Sequence, residues 1–171
     1  MVSIMVGKPV GEYASFMLDP GGWPNFPPGE IQGYYNEMGF RIMGVGGIAA
    51  EADAATEELL TNWTGLAANA AAARVAVFRN SLMPLQSFMV RIRTWYAKVA
   101  TDVRTMQLMI TASVESAEAQ IQALQAGGPE NEPAIAAIVA QRLATHVQMV
   151  ESLAARINAS AGAVLATAPA V

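Results

Sequence analysis

The chain has no cysteine, and a single histidine among its 171 residues. Disulfides, thiolate metal ligands and a cysteine nucleophile are therefore excluded. A zinc site is left without its usual ligands. Charged residues make up 14% of the chain and aromatic residues 7%, against a common charged fraction of roughly a quarter. The net charge of −4 lacks the basic excess that a nucleic-acid binder carries. No run reaches the ~18 consecutive apolar residues of a membrane span. The first residues, Met1 to Val10, hold Lys8 and Pro9 but no continuous apolar stretch of the signal-peptide kind.

What is present is helix-forming. Hydrophobic residues reach 53%, much of this alanine, which favours helix while burying little area per residue. The expectation is an all-α protein: an elongated antiparallel bundle of long helices with narrow seams. Two domains are expected, a strap over 1–29 and a helical bundle over 30–171. The strap is rich in glycine and proline, from Gly7 to Gly29, and these residues break helices. Tyr13, Phe16, Met17, Leu18, Trp23 and Phe26 lie between them, too apolar for a free tail. They predict an extended or short-turn strap with its aromatics laid on the helical body.

Helical spacing begins near Glu30, where Ile31, Tyr34, Tyr35, Met38 and Ile42 recur every three or four residues. Gly39, Gly44, Gly46 and Gly47 weaken it, which signals either a break or close approach of a neighbour. After Trp63-Thr64-Gly65 a second helix is expected from Leu66, with Gly65 in the left-handed conformation and Thr64 as its cap. Pro84 should kink or break it. A long seam follows through Leu85, Phe88, Ile92, Trp95, Val99, Val103, Met106, Ile110, Val114, Ala117, Ile121 and Leu124. The Gly127-Gly128-Pro129 loop then leads into a last helix expected over 133–166, with Pro133 at its first turn.

No catalytic constellation emerges. There is no Gly-x-Ser-x-Gly elbow and no phosphate loop; Gly44-Val45-Gly46-Gly47 lacks the strand such a loop needs. Leu143 stands where a di-metal helix would place glutamate before His146. His146 therefore reads as structural or exposed, Glu57 and Glu58 as a solvated face, and no cofactor or metal is expected. The acidic group Glu51, Asp53, Glu57 and Glu58 precedes a basic stretch from Arg74 to Arg104. Two charged faces attracting each other across a hairpin account for this order, and a basic interaction stripe is the alternative. The ten methionines serve either core packing or contact with partner helices.

A helix, the Trp63-Thr64-Gly65 turn and an antiparallel second helix resemble the Trp-x-Gly proteins exported by type VII secretion systems. Phe26-Pro27-Pro28-Gly29-Glu30-Ile31 resembles the Pro-Pro-Glu-Ile opening of the PPE proteins, with Gly29 inserted. The resemblance implies a non-enzymatic protein that folds in the cytoplasm. It would then be secreted or displayed at the cell surface without a cleaved signal peptide. It also implies a small helical-hairpin partner of the PE or Trp-x-Gly kind, and a secretion chaperone. The family's export signal, Tyr-x-x-x-Asp/Glu, does not occur after Tyr13, Tyr34, Tyr35 or Tyr96; in PPE proteins it belongs to the PE partner. The seam residues Phe88, Ile92, Trp95, Val99, Val103, Met106 and Ile110 are the expected partner interface. Two other readings stay open: a self-assembling helical scaffold forming a homo-oligomer, and a carrier or enzyme subunit using a gap between helices.

Overall fold

The computed structural model describes residues 6–170; the start of the strap and the first half of the Met1–Val10 leader reading lie outside them. Four α-helices follow in order, α1 (Ala14–Leu18), α2 (Pro28–Asn62), α3 (Leu66–Gln125) and α4 (Glu132–Leu165), with a 3-10 turn at Pro129–Asn131 and no strand among the described residues. The all-α bundle expected from composition is the fold. The chain divides into two compact units. One joins the residues up to Gly29 with Lys98–Ala159; the other joins Glu30–Ala97 with the residues from Ser160 onward. The strap is thus packed with helices rather than standing as a part of its own.

The first unit holds the larger core. Val99, Val103, Met106, Ile110, Val114, Ala117 and Ile121 are all buried, the steps of three and four that the sequence shows. Ile135, His146 and Leu153 close this core from α4. The strap completes it differently from expectation. Its helical turn α1 buries Ala14, Met17 and Leu18, and Trp23 follows, while Phe16 and Phe26 remain exposed. Short as it is, α1 places residues 14, 17 and 18 on one face, which the surrounding glycines and prolines conceal in the sequence. Gly22 is required by close approach: a Cβ there would stand 3.1 Å from the His146 Cβ and from the Leu18 carbonyl.

His146 fastens the strap. Its ring is fully buried, with Nδ1 2.9 Å from the Met17 carbonyl and Nε2 2.9 Å from Ser113 Oγ. A carbonyl only accepts, so Nδ1 donates to Met17, leaving Nε2 to accept from Ser113. Arg142 Nη1 also donates to Ser113 Oγ, at 3.3 Å. Nearby, Gln107 Nε2 donates to the Pro24 carbonyl, and Gln125 Nε2 donates to the Tyr13 hydroxyl.

The second unit is a helical hairpin of α2 and the first part of α3. The glycines do not break α2, which runs unbroken for 35 residues. They serve close approach instead: Arg93 Nε and Gln86 Nε2 each lie 3.3 Å from where a Cβ on Gly39 and Gly46 would stand. Asp53 pairs with Arg79 at 3.2 Å. Positions 53, 46 and 39 on α2 thus oppose 79, 86 and 93 on α3, seven residues per step on both helices, as in a coiled-coil seam. Arg93 also lies 4.2 Å from the centre of the Tyr35 ring. Pro84 sits inside α3 without ending it, so of the expected kink or break the break does not occur.

Candidate partner-binding surface

The hairpin turns at Trp63-Thr64-Gly65. The Trp63 N–H donates to the Leu59 carbonyl at 2.9 Å, closing the last turn of α2. Gly65 has φ +99°, a conformation that costs other L-residues about 1–2 kcal/mol. Its carbonyl accepts from the Asn69 N–H at 3.2 Å, the first helical bond of α3. This places Gly65 at the cap position expected for Thr64. The Trp63 ring is not drawn into the core: the residue is 63% exposed.

Little closes the hairpin interior beyond small side chains. Its buried apolar residues are Ile31, Ala52, Ala68 and Ala72. Alanines let two backbones approach but remove little apolar area from water. Several larger apolar side chains near the turn stay outside. Leu60 and Trp63 at the turn, and Leu66, Val77 and Phe78 on α3, are exposed, Leu66 at 89% and Val77 at 71%. Phe40, Met43 and Ile48 on α2 are exposed as well. Leu66 and Val77, eleven residues apart, share one face of α3, and exposed apolar side chains that gather on one face mark an interaction site more often than scattered ones do.

The expected interface residues divide between the two units. Val99, Val103, Met106 and Ile110 are buried inside the first unit, where a partner cannot reach them. Phe88, Ile92 and Trp95 are half-buried in the second. Trp95 Nε1 donates to Ser160 Oγ at 2.8 Å, and its ring is tilted against Tyr96, which stacks on Tyr34 at 5.6 Å. The exposed residues Leu66, Val77 and Phe78 were not anticipated. Their signal was present, since Leu66, Ala70, Ala73 and Val77 recur at steps of four, three and four. Alanine dominates that stretch, so it reads first as helix-favouring and only second as a stripe.

On the α2 side of the turn the charge is acidic. Glu51, Glu57 and Glu58 are exposed on the closing turns of α2, and α2 has no basic residue in its last turn. Arg79, opposite them, is committed to Asp53. The expected attraction between acidic and basic faces is therefore realised in this pair. Beside the turn, Ala55, Glu58, Leu59, Asn62 and Trp63 line an open cleft of about 270 Å³. Among the described residues no group of three or more histidines and carboxylates is placed to hold a metal, and no helix is long and apolar enough to cross a membrane.

No family model matches the chain, and no solved structure matches it significantly. The chain is 26% identical over 158 residues to the ESX-1 secretion-associated protein EspK of Mycobacterium tuberculosis (strain CDC 1551 / Oshkosh). The alignment covers 89% of this chain and 22% of that protein, so the chain spans about a fifth of its relative's length. By sequence, this helical chain is similar to part of a secretion-associated protein.

Proposed function

We propose that this chain is a non-catalytic, PPE-like or Trp-x-Gly-like component of type VII secretion that pairs with a small helical protein through its α2–α3 hairpin. The observation that carries this reading is the hairpin itself. Near the turn its buried positions are alanines, Ala52, Ala68 and Ala72, while Leu60, Trp63, Leu66, Val77 and Phe78 stay in water. A second hairpin laid along it would bury these side chains at about 25 cal/mol per Å² and complete a four-helix arrangement. Similarity to a secretion-associated protein supports the cellular setting. In this reading the chain folds before export and leaves without a cleaved signal, and the partner supplies the Tyr-x-x-x-Asp/Glu signal that this chain lacks.

The test is co-expression with a helical-hairpin protein encoded beside it, followed by light scattering on the purified product. A one-to-one complex is expected. Trp63→Ala should weaken it at least tenfold, as loss of a central aromatic anchor does. Because Trp63 is exposed, the free chain's stability should stay within about 0.5 kcal/mol. A defined homo-oligomer that excludes every helical partner would refute the reading and favour the self-assembling scaffold.

A further inference from the structure

The cleft beside Trp63 is chemically selective, and its preferences agree in sign. Glu58 and Asn62 line it, so a carboxylate-bearing and an amide-bearing side chain stand at the cleft. One of the amide's two N–H groups is committed to the Glu58 carbonyl at 3.0 Å, and the oxygen is left to accept from a ligand. The wall is also the last turn of α2, where aligned peptide dipoles leave partial negative charge on the final carbonyls. No basic residue of that turn answers it. Trp63 contributes an indole, the aromatic ring that best holds a cation on its face. The rest of the lining, Ala55 and Leu59, is aliphatic.

These features describe a socket for a long side chain with an apolar stem and a cationic head. A bare metal ion would find one carboxylate and too few other ligands. An amphipathic stem matches Ala55 and Leu59, and a guanidinium matches both the ring face and a carboxylate. We infer that the cleft receives a single arginine or lysine side chain from the helical partner, stem along Leu59, head between the Trp63 ring and the Glu58 carboxylate. The inference rests on the pairing reading for the source of that side chain. It adds that the partner's helix carries a basic residue where it crosses the turn. Exposed Glu51 and Glu57 nearby extend the same charge complementarity.

The test uses the full chain with N-acetyl-arginine methylamide as probe and the neutral isostere N-acetyl-citrulline methylamide as control. The indole N–H resonance of Trp63 is followed by NMR and assigned by its loss in Trp63→Phe. The arginine probe should shift it saturably, with citrulline binding roughly three- to fivefold more weakly. Glu58→Gln should reduce arginine to the citrulline level. The variant changes an exposed side chain, so unchanged Trp23 and Trp95 resonances will report an intact fold. Equal responses to the two probes, or an undiminished arginine response in Glu58→Gln, would overturn the inference. A partner that binds the parent chain and Glu58→Gln equally well would also overturn it, and would leave the pairing reading standing. A charge-dependent probe response in a chain that pairs with no helical protein would support the socket while removing the pairing reading.

Discussion

Replacing His146 with alanine should detach the strap before it unfolds the helices. The ring is fully buried and touches two elements at once, the Met17 carbonyl in α1 and Ser113 Oγ in α3. Its removal leaves the Met17 carbonyl buried without this donor, which costs about 1–3 kcal/mol. Ser113 suffers less, about 1 kcal/mol, because Arg142 still donates to its hydroxyl. The space vacated by the ring, on the order of 60 Å³, adds about 1.5 kcal/mol at ~24 cal/mol per Å³. The expected loss is about 3.5–5.5 kcal/mol. His146→Asn keeps a donor near the Met17 carbonyl and should lose about half as much. With Trp63 and Trp95 replaced by phenylalanine, Trp23 becomes the only tryptophan, and its emission, excited selectively over the tyrosines, reports strap docking. In urea, the Trp23 signal should change at lower denaturant than the helical circular dichroism in His146→Ala, but together with it in the parent. A loss below about 1 kcal/mol, or coincident transitions in the variant, would refute the account of the strap as fastened through this ring.

Two further predictions separate the core from the exposed face. Ile110→Ala, at a fully buried position, should destabilise by about 2–5 kcal/mol in chemical denaturation. It should leave partner affinity unchanged in the fraction that remains folded. Gly65→Ala should cost about 1–2 kcal/mol because of its positive φ, and hydrogen exchange should show this as added fraying at the hairpin turn rather than in the first unit.

Much of the helical plan was legible because α3 and α4 obey simple periodicity. The steps from Val99 to Ile121 name the buried core directly, and the last helix begins and ends within one residue of its expected limits. The turn was legible because glycine follows tryptophan where two helix-forming stretches meet. Local reasoning fell short wherever a distant residue decided the outcome. Nothing near Gly39 or Gly46 announces that Arg93 and Gln86 will fill the space beside them. The partners of His146 come from 129 and 33 residues away, so its role could be narrowed to structural or exposed but not assigned. Pro84 lacks the N–H of a helix interior, yet α3 continues through it, a local preference that did not decide the outcome. The seam from Phe88 to Ile110 passes from half-buried to buried positions, since a periodic stripe does not itself say whether this chain or another one covers it.

The paired spacing of glycines and long side chains gives the hairpin a single setting. Gly39 and Gly46 are notches, and Arg93 and Gln86 are the teeth that engage them. Slide one helix past the other by a single position, and the guanidinium of Arg93 meets the side chain of Met38 or Phe40 where it had met none. An extra residue inserted at the corner could not be absorbed by slippage and would have to bulge outward at Trp63. The number of residues in that corner is thereby constrained from a distance, by teeth engaged roughly five to eight turns down the rods.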